Sequence, residues 1–179
     1  MKKVLVISTS LRPLSNSDLL ADAFAEGCAE AGHEVEKVSL RGKNIGFCTG
    51  CLACQKTQRC VIRDDVPEIV QKMKASDIVA FATPVYYYEM SGQMKTLLDR
   101  ANPLFPGEYA FRDIYLLASA AEDDERAVDG ALHGLEGWVR CFEKCRIAGV
   151  VRGVGVTAPG DVRAKPALLE AGRRMGKSC

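Results

Sequence analysis

Short, wholly apolar runs alternate along this chain with longer segments of helical period, and nothing else in the sequence narrows the possible folds as much. Lys3–Ser8 (KVLVIS) is apolar on both of its alternating faces, as expected of a strand covered by helices on either side. A helix is predicted over Asn16–Gly32, with Leu19, Leu20, Ala23, Phe24 and Cys28 near helical spacing and Gly32 as the stop. Glu34–Leu40 alternates, which suits a strand at a sheet edge. Val66–Ala75 reads as a helix with Pro67 in its first turn. The series continues with a buried strand at Asp77–Thr83, a helix at Ser91–Ala101 and a strand at Phe111–Ala118. A helix at Ala127–Lys144, a strand at Ile147–Val156 and a helix at Asp161–Met175 complete it. Such a βα series folds as an α/β protein, a parallel sheet of five strands with helices on both faces.

The 179 residues suit a single domain over 1–179, with an irregular segment, 44–65, placed after the second strand. A hydrophobic share of 47% supports a folded core, and a net charge of +1 gives no footprint for nucleic acid or an anionic membrane surface. No run reaches the roughly 18 apolar residues a bilayer span requires. The apolar start after Lys2 and Lys3 is too short for a secretory signal and lacks a cleavage site, so the expected compartment is the cytoplasm. There, eight cysteines argue for metal or redox chemistry rather than a disulfide framework.

In parallel α/β sheets ligands bind beyond the carboxyl ends of the strands, where strand order reverses. After the first strand come Ser10, Arg12, Ser15, Asn16 and Ser17, just before a helix begins. Free N–H groups at the positive end of a helix, with hydroxyls and one guanidinium, suit an anion such as a phosphate. The same residues also suit helix capping. The stretch has no glycine, so it is neither a dinucleotide fingerprint nor a Walker loop. After the third strand come Thr83, Pro84, Val85, Tyr86, Tyr87 and Tyr88. Three consecutive tyrosines suit the edge of a planar aromatic ligand, or else packing on neighbouring helices or a second subunit.

With both loops in view, the sequence resembles a known family. Ile7-Ser8-Thr9-Ser10-Leu11-Arg12…Asn16-Ser17 resembles the phosphate loop of the NADPH-dependent FMN reductases. Thr83-Pro84-Val85-Tyr86…Met90-Ser91-Gly92-Gln93-Met94-Lys95…Leu98-Asp99-Arg100 resembles their isoalloxazine loop and the helix after it. The likeness covers roughly residues 1–120. It implies a flavodoxin-like three-layer sandwich with strand order 2-1-3-4-5, FMN as cofactor and NAD(P)H as co-substrate. It implies that Ser10, Arg12, Ser15, Asn16 and Ser17 hold the FMN phosphate and that Pro84 to Tyr88 hold the ring. A third loop, at Ser119 and Ala120, lacks the glycine common in relatives. Asp99 and Arg100 read as structural.

Cys48, Cys51, Cys54 and Cys60 are spaced C-x2-C-x2-C-x5-C. Three close thiolates and a fourth suit a [4Fe–4S] cluster, one thiolate per iron. The spacing also resembles the compact motif of the iron-sulfur flavoproteins, which share the fold and carry the motif after the second strand. A lid of reduced or redox-active thiols and a zinc site are the other readings. Of the remaining cysteines, Cys28 belongs on a buried helix face, Cys141 and Cys145 lie one helical turn apart, and Cys179 carries no signal. Asp64 and Asp65 read as caps of the following helix. Gly153–Ala158 and Gly172–Ser178 only superficially resemble nucleotide loops.

The expected function is an FMN-dependent oxidoreductase passing electrons from NAD(P)H or a reduced carrier to a small acceptor, such as a flavin or quinone, or to a protein partner. A non-enzymatic electron carrier of flavodoxin type is the alternative, although such carriers are usually strongly acidic. The tyrosine loop also suggests that a second subunit completes the pocket, in a homodimer or homotetramer.

Overall fold

The computed structural model describes all residues, Met1–Cys179. Strands β1 (Lys3–Ser8), β2 (Glu34–Ser39), β3 (Ile78–Tyr86), β4 (Glu89–Met90), β5 (Asp113–Ser119) and β6 (Arg146–Gly153) alternate with helices α1 (Asn16–Glu30), α2 (Ala53–Thr57), α3 (Val66–Ala75), α4 (Gly92–Arg100), α5 (Asp129–Val139) and α6 (Pro166–Lys177). Five strands form a parallel sheet in the order β2-β1-β3-β5-β6, which is the expected doubly wound order. The sixth strand, β4, was not expected. It is two residues long and pairs antiparallel with the end of β3.

The period of two along each strand divides the interior. Leu5, Ile7, Val79, Phe81, Ile114 and Leu116 face one core, packed by Ile69 and Met73 of α3, Met94 and Leu97 of α4, and Leu135 of α5. Val4, Val6, Ala80, Ala82 and Leu117 face the other, packed by Leu20 and Phe24 of α1. Each such side chain removed from water contributes about 1.5–3 kcal/mol, which makes both faces of β1, β3 and β5 obligatory interior. β2 is one of the two edge strands, and its half-buried, alternating pattern follows from that position.

α1 and α6 cross on the second face at close range. A Cβ on Gly27 would lie 2.0 Å from the carbonyl oxygen of Arg173, and one on Gly176 would lie 2.1 Å from that of Phe24. Glycine is required at both positions because the two backbones touch there.

Two predicted helices differ at their ends. The Ala127–Lys144 segment is a 3-10 turn at Glu125–Val128 followed by α5, which stops at Val139. Cys141 and Cys145 therefore lie beyond the helix and not on one helical face. Asp161–Ala164 is likewise 3-10, and α6 begins at Pro166. Gly172 and Gly176 lie inside α6, so that stretch is no nucleotide loop. The cysteine segment contains one short helix, α2. No helix is long and apolar enough to cross a membrane.

Candidate functional site

β1 and β3 are neighbours, but the chain leaves them on opposite faces of the sheet, through α1 and α4 respectively. The crevice at their carboxyl ends is the switch point of the sheet. A cavity of about 160 Å³ lies there, lined by Ser10, Arg12, Ser15 and Asn16 after β1, Pro84, Val85 and Tyr86 at the end of β3, Ser119 and Ala121 at the end of β5, and Val156 and Thr157 after β6. A second hollow of about 240 Å³ continues from Val85 and Ala121 to Tyr87, Tyr88, Ala120 and Glu122. One end of the crevice is thus lined by hydroxyls and a guanidinium, the other by apolar and aromatic groups.

The polar end is built around the start of α1. Ser15 is its N-cap, and its Oγ accepts from Asp18 N at 3.1 Å. The N–H groups of Asn16 and Ser17 open the helix without intrahelical partners, which suits an anion. Ser10 Oγ accepts from Arg12 N at 3.2 Å and shapes the preceding turn. Arg12 donates to the carbonyl of Thr157 at 2.8 Å, which holds its guanidinium at the cavity rim. Asn16 uses its side chain otherwise: Nδ2 donates to Ala158 O at 3.0 Å and Oδ1 accepts from Val162 N at 3.0 Å. Its amide clamps the loop after β6, leaving its backbone N–H for a ligand. Ser17 is wholly buried beneath the loop. Capping and anion binding, alternatives in the sequence, are here two uses of one helix start.

The aromatic end is a hairpin. Tyr86 pairs with Glu89 across a two-residue turn, Tyr87-Tyr88, with φ of 51° and 65°. That is the left-handed pair that Asn-Gly usually supplies, and each non-glycine there costs about 1–3 kcal/mol. The turn persists because it is held from both sides. Thr9, Thr83 and Ser91 form a buried hydroxyl knot: Thr9 Oγ1 lies 3.0 Å from Ser91 Oγ, and Ser91 N donates to Thr83 Oγ1 at 3.0 Å. Thr83 thus ties two ligand loops together rather than lining the cavity. On the other side α5 abuts the turn at Gly130, where a Cβ would lie 2.1 Å from Tyr88 O. Tyr88 donates to the Glu122 carboxylate, which raises the phenol's pKa, and Tyr87 is fully exposed.

Val156, Thr157 and Glu122 complete the crevice and were not read from the sequence as ligand residues. Thr157 follows the last strand, so the same carboxyl-end rule could have found it. Glu122 carries no comparable signal, since loop carboxylates are common.

All four loop cysteines border one narrow hollow of about 20 Å³, together with Leu52, Asp99, Arg100, Asn102 and Pro103. Cys54 is buried, Cys60 is half-buried, and Cys48 and Cys51 are exposed. The sulfurs receive donors: Asn102 Nδ2 to Cys54 at 3.2 Å and Gly50 N to Cys48 at 3.4 Å. The Ala53 N–H and the Thr49 hydroxyl lower the Cys51 pKa. An all-thiol donor set suits a soft, multi-iron group. No three His, Cys, Asp or Glu side chains converge closely enough for one ion. The sulfurs ring the hollow instead of meeting at a point, and any group of several atoms has to widen it.

A buried ion pair attaches this loop to the core. Arg100, at the end of α4, donates Nη1 and Nη2 to the two Asp64 oxygens at 2.7 and 2.8 Å, and Nη1 also donates to Gly46 O at 2.6 Å. Both side chains are essentially inaccessible to solvent. Asp64 also accepts from Gly46 N and from Val66 N, the first amide of α3, whereas Asp65 occupies the N-cap position without a side-chain cap bond and accepts from Asn44 N instead. Burial alone would raise the Asp64 pKa, but Arg100 and the two amides hold it below the ordinary carboxylate value. The remaining cysteines lie elsewhere. Burial raises the Cys145 pKa to about 11, and Cys28 and Cys179 are 3.3 Å apart.

Comparison with known proteins agrees with this arrangement. An iron-sulfur flavoprotein of Methanocaldococcus jannaschii is 43% identical over 102 residues, 57% of this chain and 53% of that protein. The chain therefore spans about half the length of that relative. A provisionally named NAD(P)H-dependent FMN-containing oxidoreductase of Bacillus subtilis is 27% identical over 98% of this chain and 97% of its own length. Among solved structures, an NAD(P)H:quinone oxidoreductase from Methanothermobacter marburgensis superposes with a TM-score of 0.73 at 20% identity, over 99% of this chain and 96% of that one, which shows a shared fold. The profile described as NADPH-dependent FMN reductase matches residues 2–143, so the chain belongs to the NADPH-dependent FMN reductase family.

Proposed function

We propose that the chain is an oxidoreductase that holds FMN in the switch-point crevice and passes electrons from NAD(P)H or a reduced carrier to a small acceptor or protein partner. One observation carries this reading: loops after β1, β3 and β5 line two adjoining hollows that share Val85 and Ala121, one polar and the other apolar and aromatic. FMN, when bound, supplies the hydride and single-electron chemistry.

The protein's share is position and electrostatics. Ser10, Ser15, Arg12 and the start of α1 offer donors and positive potential to a phosphate. Pro84, Val85, Ala120 and the tyrosine hairpin offer a flat apolar wall to a ring, with Tyr86 to Tyr88 bordering it. Glu122 is a carboxylate lining that wall, and Tyr88 donates to it. Thr83 and Asn16 brace the loops.

We assign Cys48, Cys51, Cys54 and Cys60 as ligands of a [4Fe–4S] cluster, which when bound supplies single-electron transfer. Their common hollow, the donors to sulfur and the iron-sulfur flavoprotein relative support this assignment. All eight cysteines are free thiols, as suits a reducing cytoplasm. The exposed tyrosines support a homodimer or homotetramer that covers this face.

Anaerobic purification with a visible spectrum and metal analysis tests the assignment. Flavin bands near about 370 and 450 nm with about four irons per chain are expected. A colourless protein would sink the flavin reading, and zinc in place of iron would sink the cluster. NAD(P)H oxidation by the pure protein separates the enzyme from a flavodoxin-type carrier, which a partner protein alone would reduce. A monomeric scattering mass would remove the oligomer.

A further inference from the structure

The amino-terminal end of the sheet, opposite the crevice, holds a second pair of thiols. Cys28 lies near the end of α1, wholly buried, and Cys179 follows α6. Their sulfurs are 3.3 Å apart although 151 residues separate them in sequence. The proximity comes from the packing of the two helices. Gly27 and Gly176 let α1 and α6 touch backbone to backbone, next in sequence to Cys28 and three residues before Cys179. Position 179 is also held from the strand side. His33 Nδ1 accepts from Lys2 N at 3.4 Å, which leaves Nε2–H to donate to Cys179 O at 3.0 Å.

We infer that Cys28 and Cys179 form a dithiol–disulfide redox couple, separate from the flavin and cysteine-loop sites, that takes hydroperoxides as oxidant and covalently pins α6 to α1. A disulfide needs its sulfurs at about 2.05 Å, so closure requires a movement of little more than an ångström. Ser178 and Cys179 lie beyond the last full turn of α6 and can supply it.

The two thiols differ in the way such a couple requires. The hydrogen bond between the two thiols, with the Lys2 charge nearby, holds the Cys179 pKa below the ordinary thiol value. The same hydrogen bond, with burial, raises the Cys28 pKa. Tyr115 is the other titratable group at the pair, and burial raises its pKa to about 12, so it stays neutral. Cys179 is thus the partly exposed nucleophile and Cys28 the resolving thiol. The Cys179 thiolate attacks the terminal peroxide oxygen and the O–O bond breaks, giving a sulfenic acid and an alkoxide, or hydroxide when the oxidant is hydrogen peroxide. The Cys28 sulfur then attacks the Cys179 sulfur, the S–O bond breaks, and water leaves with the Cys28 proton. A dithiol reverses the link by attacking the Cys179 sulfur. Cys28 departs and takes up a proton, and the second thiol of the reductant resolves the mixed disulfide.

The test is differential alkylation and peptide mapping of the whole purified protein before and after hydrogen peroxide. The expected result is a peptide linking Cys28 to Cys179, removed by dithiothreitol and absent from C179S and from C28A. Because the link closes a long loop, the linked protein melts about 5–15 °C above the reduced form, a shift that C179S lacks. Cys28 and Cys179 both alkylatable after peroxide, Cys179 joined to another cysteine, or linkage without a change in melting would each overturn the inference. None of these readings depends on flavin or iron content, so they stand apart from the proposed function.

Discussion

The flavin crevice and the cysteine hollow both lie in loops, but they are held in opposite ways. The crevice is a product of the sheet. Its walls are the ends of β1, β3 and β5, and short hydrogen bonds join the loops to one another across Thr9, Thr83 and Ser91. The hollow is carried on an irregular excursion with only five helical residues, attached to the core by a few anchors, chiefly the buried Arg100 guanidinium and Asn102 at Cys54. A site on strand ends inherits the rigidity of two hydrophobic cores. A site on a long loop depends on a few polar anchors, and each of those matters more.

That contrast can be broken by experiment. Cys54→Ala removes the one buried sulfur of the hollow. Iron binding should be abolished while FMN stays bound, as metal analysis and the flavin spectrum would reveal; joint loss of both would mean the two sites are not separable. Arg100→Ala should cost about 3–5 kcal/mol in chemical denaturation, because it leaves the Asp64 carboxylate buried without its partner. The same pair predicts an acid limit. The Asp64 pKa is depressed in the folded protein, so its contribution is complete above the unfolded carboxylate pKa of about 3.9. It is lost as pH falls through the lower folded value. In Arg100→Ala that part of the acid transition should shrink, as a pH series of unfolding midpoints would show.

Gly130→Ala tests the crevice from its far side. The new methyl would drive into the Tyr88 carbonyl and displace the strained turn, costing about 1–3 kcal/mol and weakening FMN binding without altering iron content. Equal FMN affinity in a titration would show that the hairpin does not shape the ring end. Ser15→Ala should have the smallest effect, about 1 kcal/mol of stability from the lost cap and a several-fold weaker FMN affinity. An affinity unchanged at equal stability would reduce Ser15 to a cap alone.

Strand existence and the parallel, doubly covered sheet were legible because burial on both faces leaves an unmistakable apolar run and the βα alternation permits few topologies, while the strand order followed from the family resemblance. The hairpin was not legible. Tyr-Tyr gives none of the glycine or asparagine signal of its turn type, and the glycine that makes room for it, Gly130, lies over forty residues later on α5. Asp64 could be read as a cap from its position before a helix. Its bidentate bond to Arg100 could not, because the partners are 36 residues apart.

By itself, then, the sequence determined the doubly wound sheet, the two ligand loops at its carboxyl edge and the spacing of four thiols, since local period and loop chemistry are properties of neighbouring residues. Only the tertiary structure decided that Thr83 braces the crevice rather than lining it, that the Asn16 side chain clamps the loop after β6, that Arg100 anchors the cysteine loop, and that Cys28 meets Cys179. Each of these depends on a contact between residues far apart in the chain, and such contacts exist only once both cores have packed.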